Sequence, residues 1–445
     1  MAVFAALAGL LVAACGGTPA PSGSSGNAGT SGNSTPAGNV YMLSTQGQPV
    51  DEAQAMRDQV LGGFNGQVTF DSANQTTPDI QKVEAEAQSG KGTIDVLGFL
   101  HGEVATVQQQ GDLMDLTPLL QKLEKTRQFD PKLVQLGKLG TSKQYYIPWM
   151  QATYFMVANK SALKYLPKGA NINSLTYDQL VQWAANTEKG TGQKMFGLPA
   201  NIATGGGLVK RFVQGYLLPS YTGTQVTGFK SPEAVQGWQM VKKLWQYTSP
   251  QSTTYSFMQT PLLSGEVQIA WDHQARMIQA LDQSSQFVAF PAPRGPKGLG
   301  YEPVVAGLAI PKTAPNKQGA EQLIDYLTRP QNQVKTASVL AFFPTVANAK
   351  VQGGSSPGLA AEAQVTAKQA AESNTIAAQL PVGLGAQSTP FDDIYNTTFE
   401  RIVVNNQDIQ TVLNDEGANL QKLLDQANAP CWPPDKPSNG PCKVA

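Results

Sequence analysis

Residues 93–118 read TIDVLGFLHGEVATVQQQGDLMDLTP, in which a short apolar run leads into an amphipathic stretch. The apolar run at 94–99 has the length of a buried strand, and the stretch that follows it is typical of a helix. The same alternation of apolar runs and amphipathic stretches continues from Asn39 onward. Alternating strands and helices are typical of an α/β protein, so the sequence predicts that fold class.

Apolar runs predict strands at residues 40–44, 67–70, 94–99, 145–148, 154–158, 267–271, 287–290 and 304–310. Helix starts are marked by capping residues. Thr176 and Gln179 have the capping-box spacing, and Ser231 stands before Pro232, which suits the first helical position. A third helix is predicted after Pro315.

The composition excludes several classes of function. The 445 residues include 32 basic and 32 acidic side chains, which together are only 14% of the chain, against roughly 25% in an average soluble domain. Balanced charge without a Lys/Arg cluster argues against nucleic acid as a partner. Two histidines and three cysteines are too few for a His-rich or Cys-rich metal site, so we expect no metal and no cofactor.

Motifs of common enzymes are missing from the sequence. The chain has no GxxxxGK[ST] phosphate loop, no GxGxxG helix start and no HExxH. Asp392 and Asp393 are adjacent, and at a helix start they would point in different directions, unlike a pair of catalytic carboxylates. Tyr145 and Tyr146 would face opposite sides of a strand, which argues against a shared metal. We therefore predict a binding protein rather than an enzyme.

The N-terminus indicates export. Residues 3–14 form an apolar run that is too short to span a bilayer, and it ends in VAACG at Cys15 and Gly16. This pattern resembles a bacterial lipoprotein signal, which would make residues 1–15 the signal and Cys15 the lipidated residue. Such signals carry a basic residue before the apolar run. None is present here, so we expect the natural start to lie upstream.

Low-complexity segments flank the predicted folded part. Residues 16–38 are all Gly, Ser, Thr, Ala, Pro or Asn, and such a chain cannot bury enough surface to offset its ordering entropy. We predict a tether that spans about 25–30 Å on average. At the other end, Cys431 and Cys442 lie in a Pro-rich tail, residues 429–445, and could form a disulfide in an oxidising compartment.

Polar and aromatic side chains follow several of the predicted strands, at the sheet edge where α/β proteins bind ligands. We take seven of them as candidate ligand-binding residues: Gln46, Phe99, His101, Trp149, Gln151, Trp271 and Asp272. Flat aromatic faces mixed with hydrogen-bonding groups favour a neutral, hydroxyl-rich ligand.

Short motifs occur in a recognisable order along the chain. They are the Gly111-x-Leu113-x-x-Leu116-x-Pro118 passage after the strand at 94–99, followed by residues 146–148, 158–160, 175–180, 265–271, 291–296, 306–310 and 343–345. This order resembles that of extracellular solute-binding proteins of the sugar-binding type, the receptors of ABC importers, a family that includes maltose-binding protein.

The resemblance implies a periplasmic-binding-protein-like fold of two α/β lobes, joined by crossing strands and separated by a cleft that closes on ligand. The first lobe would comprise residues 39–150 and 307–345, and the second lobe residues 151–306 and 346–428. The resemblance also places Trp271 where an aromatic ring often stacks on a sugar. It adds three ligand-binding candidates from the second lobe, which are Asn201, Phe391 and Tyr395.

The resulting hypothesis is a monomeric receptor, lipid-anchored to the bacterial cell membrane through Cys15, that captures a sugar or oligosaccharide and delivers it to an ABC permease. Three alternatives stay open at this point. They are a binding protein for another small solute, such as a polyamine, an amino acid or a metal ion; an extracellular glycosidase; and the binding subunit of a membrane sensor.

Overall fold

The computed structural model describes residues 37–47, 50–72, 76–205, 207–349, 351 and 356–445. The predicted signal, Cys15 and all but the last two residues of the predicted tether lie outside the described residues. Ala37, which the sequence assigns to the tether, is buried, and its backbone N–H donates to the Asn65 carbonyl over 3.0 Å. The folded unit therefore begins at or before Ala37.

A five-stranded sheet forms the centre of the first lobe, with the strand order β2-β1-β3-β10-β4. Its strands are β1 (Asn39–Ser44), β2 (Gln67–Ser72), β3 (Val96–Leu100), β4 (Ile147–Ala152) and β10 (Val304–Ala309). β1 pairs in parallel with both β2 and β3, whereas β10 runs antiparallel to β3 and β4. The carboxyl ends of β1 and β3 thus meet at one edge of this sheet.

A four-stranded sheet forms the centre of the second lobe, with the order β6-β7-β5-β8. Its strands are β5 (Tyr154–Asn159), β6 (Phe196–Gly197), β7 (Ile269–His273) and β8 (Phe287–Phe290). β5 runs antiparallel to β7 and β8. A small parallel pair, β9 (Leu299–Tyr301) with β11 (Thr375–Ala377), lies beside it.

The α-helices of the described residues pack on both sheets. They are α1 (Val50–Ala55), α2 (Thr76–Ser89), α3 (His101–Gln109), α4 (Thr117–Leu123), α5 (Pro131–Gly137), α6 (Tyr177–Thr191), α7 (Val209–Arg211), α8 (Leu218–Thr222), α9 (Pro232–Trp245), α10 (Gln259–Ser264), α11 (Ile278–Asp282), α12 (Lys317–Leu327), α13 (Pro330–Leu340), α14 (Pro357–Ala371), α15 (Ser388–Phe399) and α16 (Ile409–Ala427). A π-helical segment, Phe212–Leu217, joins α7 to α8, and further short π or 3₁₀ segments are Met56–Val60, Leu61–Gly63, Lys160–Tyr165, Ile172–Ser174, Pro250–Thr254, Gln274–Arg276, Gly385–Gln387 and Glu400–Val404.

The predicted strands and helix caps agree well with the structure. Each of the eight predicted strands overlaps an observed one, and Thr176 with Gln179 forms the predicted capping box at the start of α6. The Ser231 side chain accepts a hydrogen bond from the Ala234 N–H at the start of α9. β6, β9 and β11 were not predicted, because two or three residues are too few to show a hydrophobic pattern.

The chain passes from the first sheet to the second at Thr153 and returns at Glu302. The Thr153 hydroxyl donates to the Glu302 carbonyl over 2.9 Å, so the two crossings lie side by side. Both residues are fully buried. No helix in the described part of the chain has the length and hydropathy that crossing a membrane requires. The exact lobe boundaries given by the resemblance stay a prediction.

Candidate functional site

Polar side chains of the first lobe gather beyond the carboxyl ends of β1 and β3. Thr45 and Gln46 follow β1, and Glu103 lies in the first turn of α3, which begins directly after β3. The Glu103 carboxylate accepts hydrogen bonds from the Thr45 hydroxyl (2.6 Å) and the Leu100 N–H (2.8 Å), and the Gln46 amide donates to the Thr45 hydroxyl (3.1 Å). These bonds fix an ordered row of donors and acceptors at the sheet edge.

Charged side chains of the second lobe gather around Asp392, in the first part of α15. Its carboxylate receives Lys210 Nζ at 3.0 Å, Arg211 Nη2 at 3.3 Å and Gln214 Nε2 at 3.0 Å. Burial alone would raise the pKa of Asp392, but the charges of Arg211 and Lys210 outweigh burial and hold the pKa below its ordinary value. Asp392 is therefore an ionised carboxylate with paired charges.

Arg211 connects the two groups of polar residues. Burial lowers the pKa of its guanidinium, but the negative charges of Asp392, Glu302 and Glu103 more than reverse this effect and raise it. Glu103 belongs to the first lobe and Asp392 to the second, so Arg211 lies within electrostatic range of carboxylates from both lobes. Glu103 of the first lobe is thus near enough to Arg211 of the second for their charges to interact.

Glu302 contributes a carboxyl group that is unusual in its surroundings. It is 0% exposed, and neither carboxyl oxygen has a hydrogen-bond partner among the described residues. Burial raises its pKa to about 7, although the Arg211 charge opposes this. A buried carboxyl with both oxygens unpaired normally costs stability, so it needs an explanation in function or in bound solvent.

An aromatic cluster lies next to these charged groups. The Tyr154 ring stacks on the Trp271 ring with centroids 4.9 Å apart and an angle of 7°, and Phe212 and Tyr216 contact the Trp271 ring edge-to-face. Burial and the nearby Glu302 raise the pKa of Tyr154. His273 packs against Tyr154 at 5.1 Å. Tyr154 is therefore the aromatic residue on the side of Glu302 and Arg211, with Trp271 behind it.

The lobes contact each other around this polar region. Glu52 of α1 forms an ion pair with Arg276, just beyond β7, and both side chains are largely buried, with 14% and 16% of their surface exposed. The Thr77 hydroxyl of α2 lies 3.1 Å from the Thr389 hydroxyl of α15. The backbone of Gly102 at the start of α3 lies so close to the Pro381 carbonyl that a Cβ would collide with it. The structure therefore represents a closed arrangement of the lobes.

Several of the predicted site residues are fully buried. Trp271 is fully buried in the aromatic cluster, and Phe99 is fully buried in an apolar cluster with Leu97 and Val104. Asp272 is also fully buried, and its carboxyl oxygens accept the backbone N–H groups of Met258 (2.6 Å) and His273 (2.7 Å). Burial raises the pKa of this carboxyl, and the two backbone hydrogen bonds oppose the rise.

Other predicted residues bond to the protein itself. Gln151 donates to the Pro344 carbonyl (2.6 Å), Asn201 donates to the Ser256 hydroxyl (3.2 Å), and His101 Nδ1 lies 3.0 Å from the Tyr146 hydroxyl, where burial lowers the His101 pKa to about 4. Trp149 is buried beside Gly98.

Phe391 and Tyr395 of α15 are fully buried behind Asp392, where Phe391 contacts Trp432. Of the predicted ligand-binding residues, Gln46 is therefore the one that joins the polar region directly. Cys431 and Cys442 form a disulfide.

Sequence reasoning missed Glu103, Arg211, Glu302 and Tyr154. Glu103 could have been predicted, because this residue lies three residues after β3, at the carboxyl end of a strand where α/β proteins bind ligands. Arg211 and Asp392 are 181 residues apart, and no local pattern joins them. The described residues contain no group of three or more His, Cys, Asp or Glu side chains placed to hold a metal ion.

Residues 58–334 match the model of the bacterial extracellular solute-binding protein family. The match spans more than half of the chain, so the chain belongs to this family. The predicted family is thus confirmed, and its members are binding proteins that act outside the cytoplasm. The comparison with curated proteins found no match.

Solved structures confirm the predicted two-lobed fold. Maltose-bound MalE3 of T. maritima is similar with a TM-score of 0.69 and 18% identity, over 87% of this chain and 100% of that one. The GacH receptor of Streptomyces glaucescens, solved unliganded and with acarbose, has a TM-score of 0.68 and 16% identity over 87% and 98%. UgpB of Mycobacterium tuberculosis, in complex with glycerophosphocholine, has a TM-score of 0.66 and 17% identity over 88% and 99%.

Proposed function

We propose that this solute-binding protein is the receptor of an ABC importer for a sugar or oligosaccharide, which it holds between its lobes and delivers to a membrane permease. The observation that carries the proposal is that Arg211 of the second lobe, which pairs with Asp392, lies within electrostatic range of Glu103 of the first lobe, next to Gln46. Tyr154 and the unpaired carboxyl of Glu302 also lie within electrostatic range of Arg211.

The chemistry of these groups suits a ligand with many hydroxyls. Carboxylates accept hydrogen bonds from hydroxyl groups, a guanidinium donates to hydroxyl oxygens, and an amide does both. Asp392 is neutralised by Lys210 and Arg211, and the Glu103 carboxylate lies within range of Arg211. A neutral ligand leaves these pairs intact, whereas a strongly charged ligand would have to break one of them.

Closure gives the mechanism of capture. A ligand that touches only one lobe in the open form and both lobes in the closed form binds the closed form more tightly, and this difference in affinity shifts the population. The permease would then recognise the closed form. The crossings at Thr153 and Glu302 are the natural place for the hinge, because two of the chain segments that join the lobes pass there side by side.

The solved structures support the ligand class without fixing it. MalE3 binds maltose and GacH binds acarbose, both of which are rich in hydroxyls, whereas UgpB binds glycerophosphocholine. Anchoring through a lipid on Cys15, the tether and a monomeric state also belong to this proposal. They would keep the receptor within reach of its permease at the outer face of the membrane.

The proposal is tested by thermal-shift screening of the purified chain against mono- and oligosaccharides, with glycerophosphocholine, polyamines, amino acids and divalent metal ions as the comparison set. A ligand at a hundred times its Kd adds roughly 2.7 kcal/mol to the free energy of unfolding. We expect a sugar to raise the melting temperature. If only members of the comparison set do so, the carbohydrate assignment is wrong.

A further inference from the structure

The C-terminal tail, residues 429–445, is held against the second lobe by more than its disulfide. The buried Asp435 carboxylate accepts the backbone N–H groups of Gln225 (2.7 Å), Val226 (3.1 Å) and Thr227 (2.7 Å). Cys442 is fully buried, and its N–H donates to the Ala429 carbonyl over 2.8 Å. Three backbone donors on one carboxylate give the tail a fixed position on residues 225–227.

Trp432 connects the tail to two other segments. Its indole N–H donates to the Gln225 side-chain oxygen at 2.5 Å, and the Gln225 amide donates to the Gln379 carbonyl at 3.2 Å. The next residue, Pro433, accepts the Gln379 N–H at 3.0 Å. The Trp432 ring also packs edge-to-face on Phe391, with centroids 5.5 Å apart. The tail thus supports both residue 379 and the start of α15.

The two supported segments are those that reach the candidate site. Residues 379–384 carry Pro381, whose carbonyl lies against Gly102 of the first lobe, and Gly383, which lies beside Gln109 at the end of α3. Phe391 immediately precedes Asp392, which pairs with Arg211. Trp432 itself is buried, and its contacts are with Phe391 and Gln225 of the second lobe.

We propose that Trp432, held in place by the Cys431–Cys442 loop, is a positioning residue for the closed form. It fixes the positions of residues 379–384 and Asp392 relative to the first lobe. Trp432 does not touch the captured ligand, but in this way it sets how long the ligand stays bound. The effect on ligand residence rests on the proposed function, whereas the effect on the contact between the lobes does not.

The test compares Trp432→Phe, which keeps an aromatic ring but loses the indole N–H, with the wild-type full chain. Hydrogen–deuterium exchange of the ligand-free protein should rise about tenfold in residues 379–384 and at the start of α3, the change expected for one lost buried hydrogen bond. Elsewhere the exchange should stay as in the control Lys443→Gln. That control removes an exposed ion pair of the same tail, Lys443 with Asp425.

Binding gives a second readout. With a sugar that binds the wild-type chain, the dissociation rate should rise about tenfold in Trp432→Phe while the association rate stays the same, because the first encounter is with an open lobe. The double substitution Cys431→Ser and Cys442→Ser should show the same pattern of exchange.

Three results would overturn the inference: unchanged exchange in residues 379–384, a rise spread evenly over the chain, or an unchanged dissociation rate. If no sugar binds the wild-type chain, the proposed function fails, and the exchange comparison still decides this inference.

Discussion

The Tyr154 ring lies parallel to the Trp271 ring, with centroids 4.9 Å apart. The two residues are diagonal neighbours on the antiparallel strands β5 and β7, where Tyr154 pairs with His273 and Met156 pairs with Trp271. Phe212 and Tyr216 cover the edges of Trp271. The indole therefore supports Tyr154, and Tyr154 is the ring beside the polar groups.

Substitutions separate these two roles. Tyr154→Phe keeps the stacked ring and removes the hydroxyl, so it should weaken sugar binding by about 1 kcal/mol and leave the free energy of unfolding within about 0.5 kcal/mol. Trp271→Ala should instead lower the free energy of unfolding by about 3–5 kcal/mol, the cost of a large cavity in a core. Calorimetric titration and urea unfolding measure the two quantities. A Trp271→Ala protein of unchanged stability that binds poorly would assign the indole to the ligand.

The ion pair of Glu52 and Arg276 joins the lobes, so it should stabilise the closed form alone. Glu52→Gln and Arg276→Gln should each speed ligand dissociation, and the double variant should do little more than either, with a coupling energy of about 1 kcal/mol. Stopped-flow dissociation measures the rates.

Arg329→Gln is a suitable control, because Arg329 pairs with Asp325 of α12 and both residues lie in the first lobe. Additive effects of Glu52→Gln and Arg276→Gln would show that the pair does not act as a unit.

Gly102 of the first lobe lies against the backbone of Pro381 in the second lobe. A Cβ there would collide with the Pro381 carbonyl, whereas a Cβ at Gly62 would have its nearest neighbour 3.9 Å away. Gly102→Ala should therefore hold the lobes apart and weaken binding by at least tenfold, while Gly62→Ala should bind as the wild type does. Small-angle scattering with saturating ligand checks whether closure is lost. Normal compaction of Gly102→Ala would mean that the backbone shifts to accept the methyl group.

The pKa of Glu302 predicts a pH dependence of stability. Its pKa is raised from 4.5 to about 7 by burial, so the folded state holds a proton that the unfolded state releases. Its contribution to stability is present in full below pH 4.5 and is lost as the pH rises through 7, with a slope of roughly 1.4 kcal/mol per pH unit inside that window.

His101 and His273, whose pKa values are lowered to about 4 by burial, titrate with the opposite sign over part of this range. The effect is therefore read from the difference between the wild type and Glu302→Gln in urea unfolding at pH 4.5 and pH 8. The free energy of unfolding of Glu302→Gln, relative to that of the wild type, should be higher at pH 8 than at pH 4.5. Parallel curves would show that Glu302 does not titrate in this window.

The sequence predicted the strands, the main helix caps, the family and the sheet edge at Gln46, because each of these leaves a local pattern. It could not show how Trp271 is packed, since the hydropathy of a strand does not show what covers its ends. Here the cover is Phe212 and Tyr216, which come from a π-helical segment more than 50 residues earlier. It also failed for Arg211 and Asp392, which the fold alone brings together. The charged groups of this region were not predicted for the same reason: they are paired only in three dimensions.

We propose that one sugar is held by groups from both lobes. Calorimetric titration of the wild-type chain, Glu103→Gln and Arg211→Gln with the sugar that gives the largest thermal shift measures whether both lobes take part. We expect saturable binding by the wild type and at least tenfold weaker binding by each variant, although the substitutions lie in different lobes. A variant in either lobe that binds the sugar as tightly as the wild type would rule out binding by both lobes.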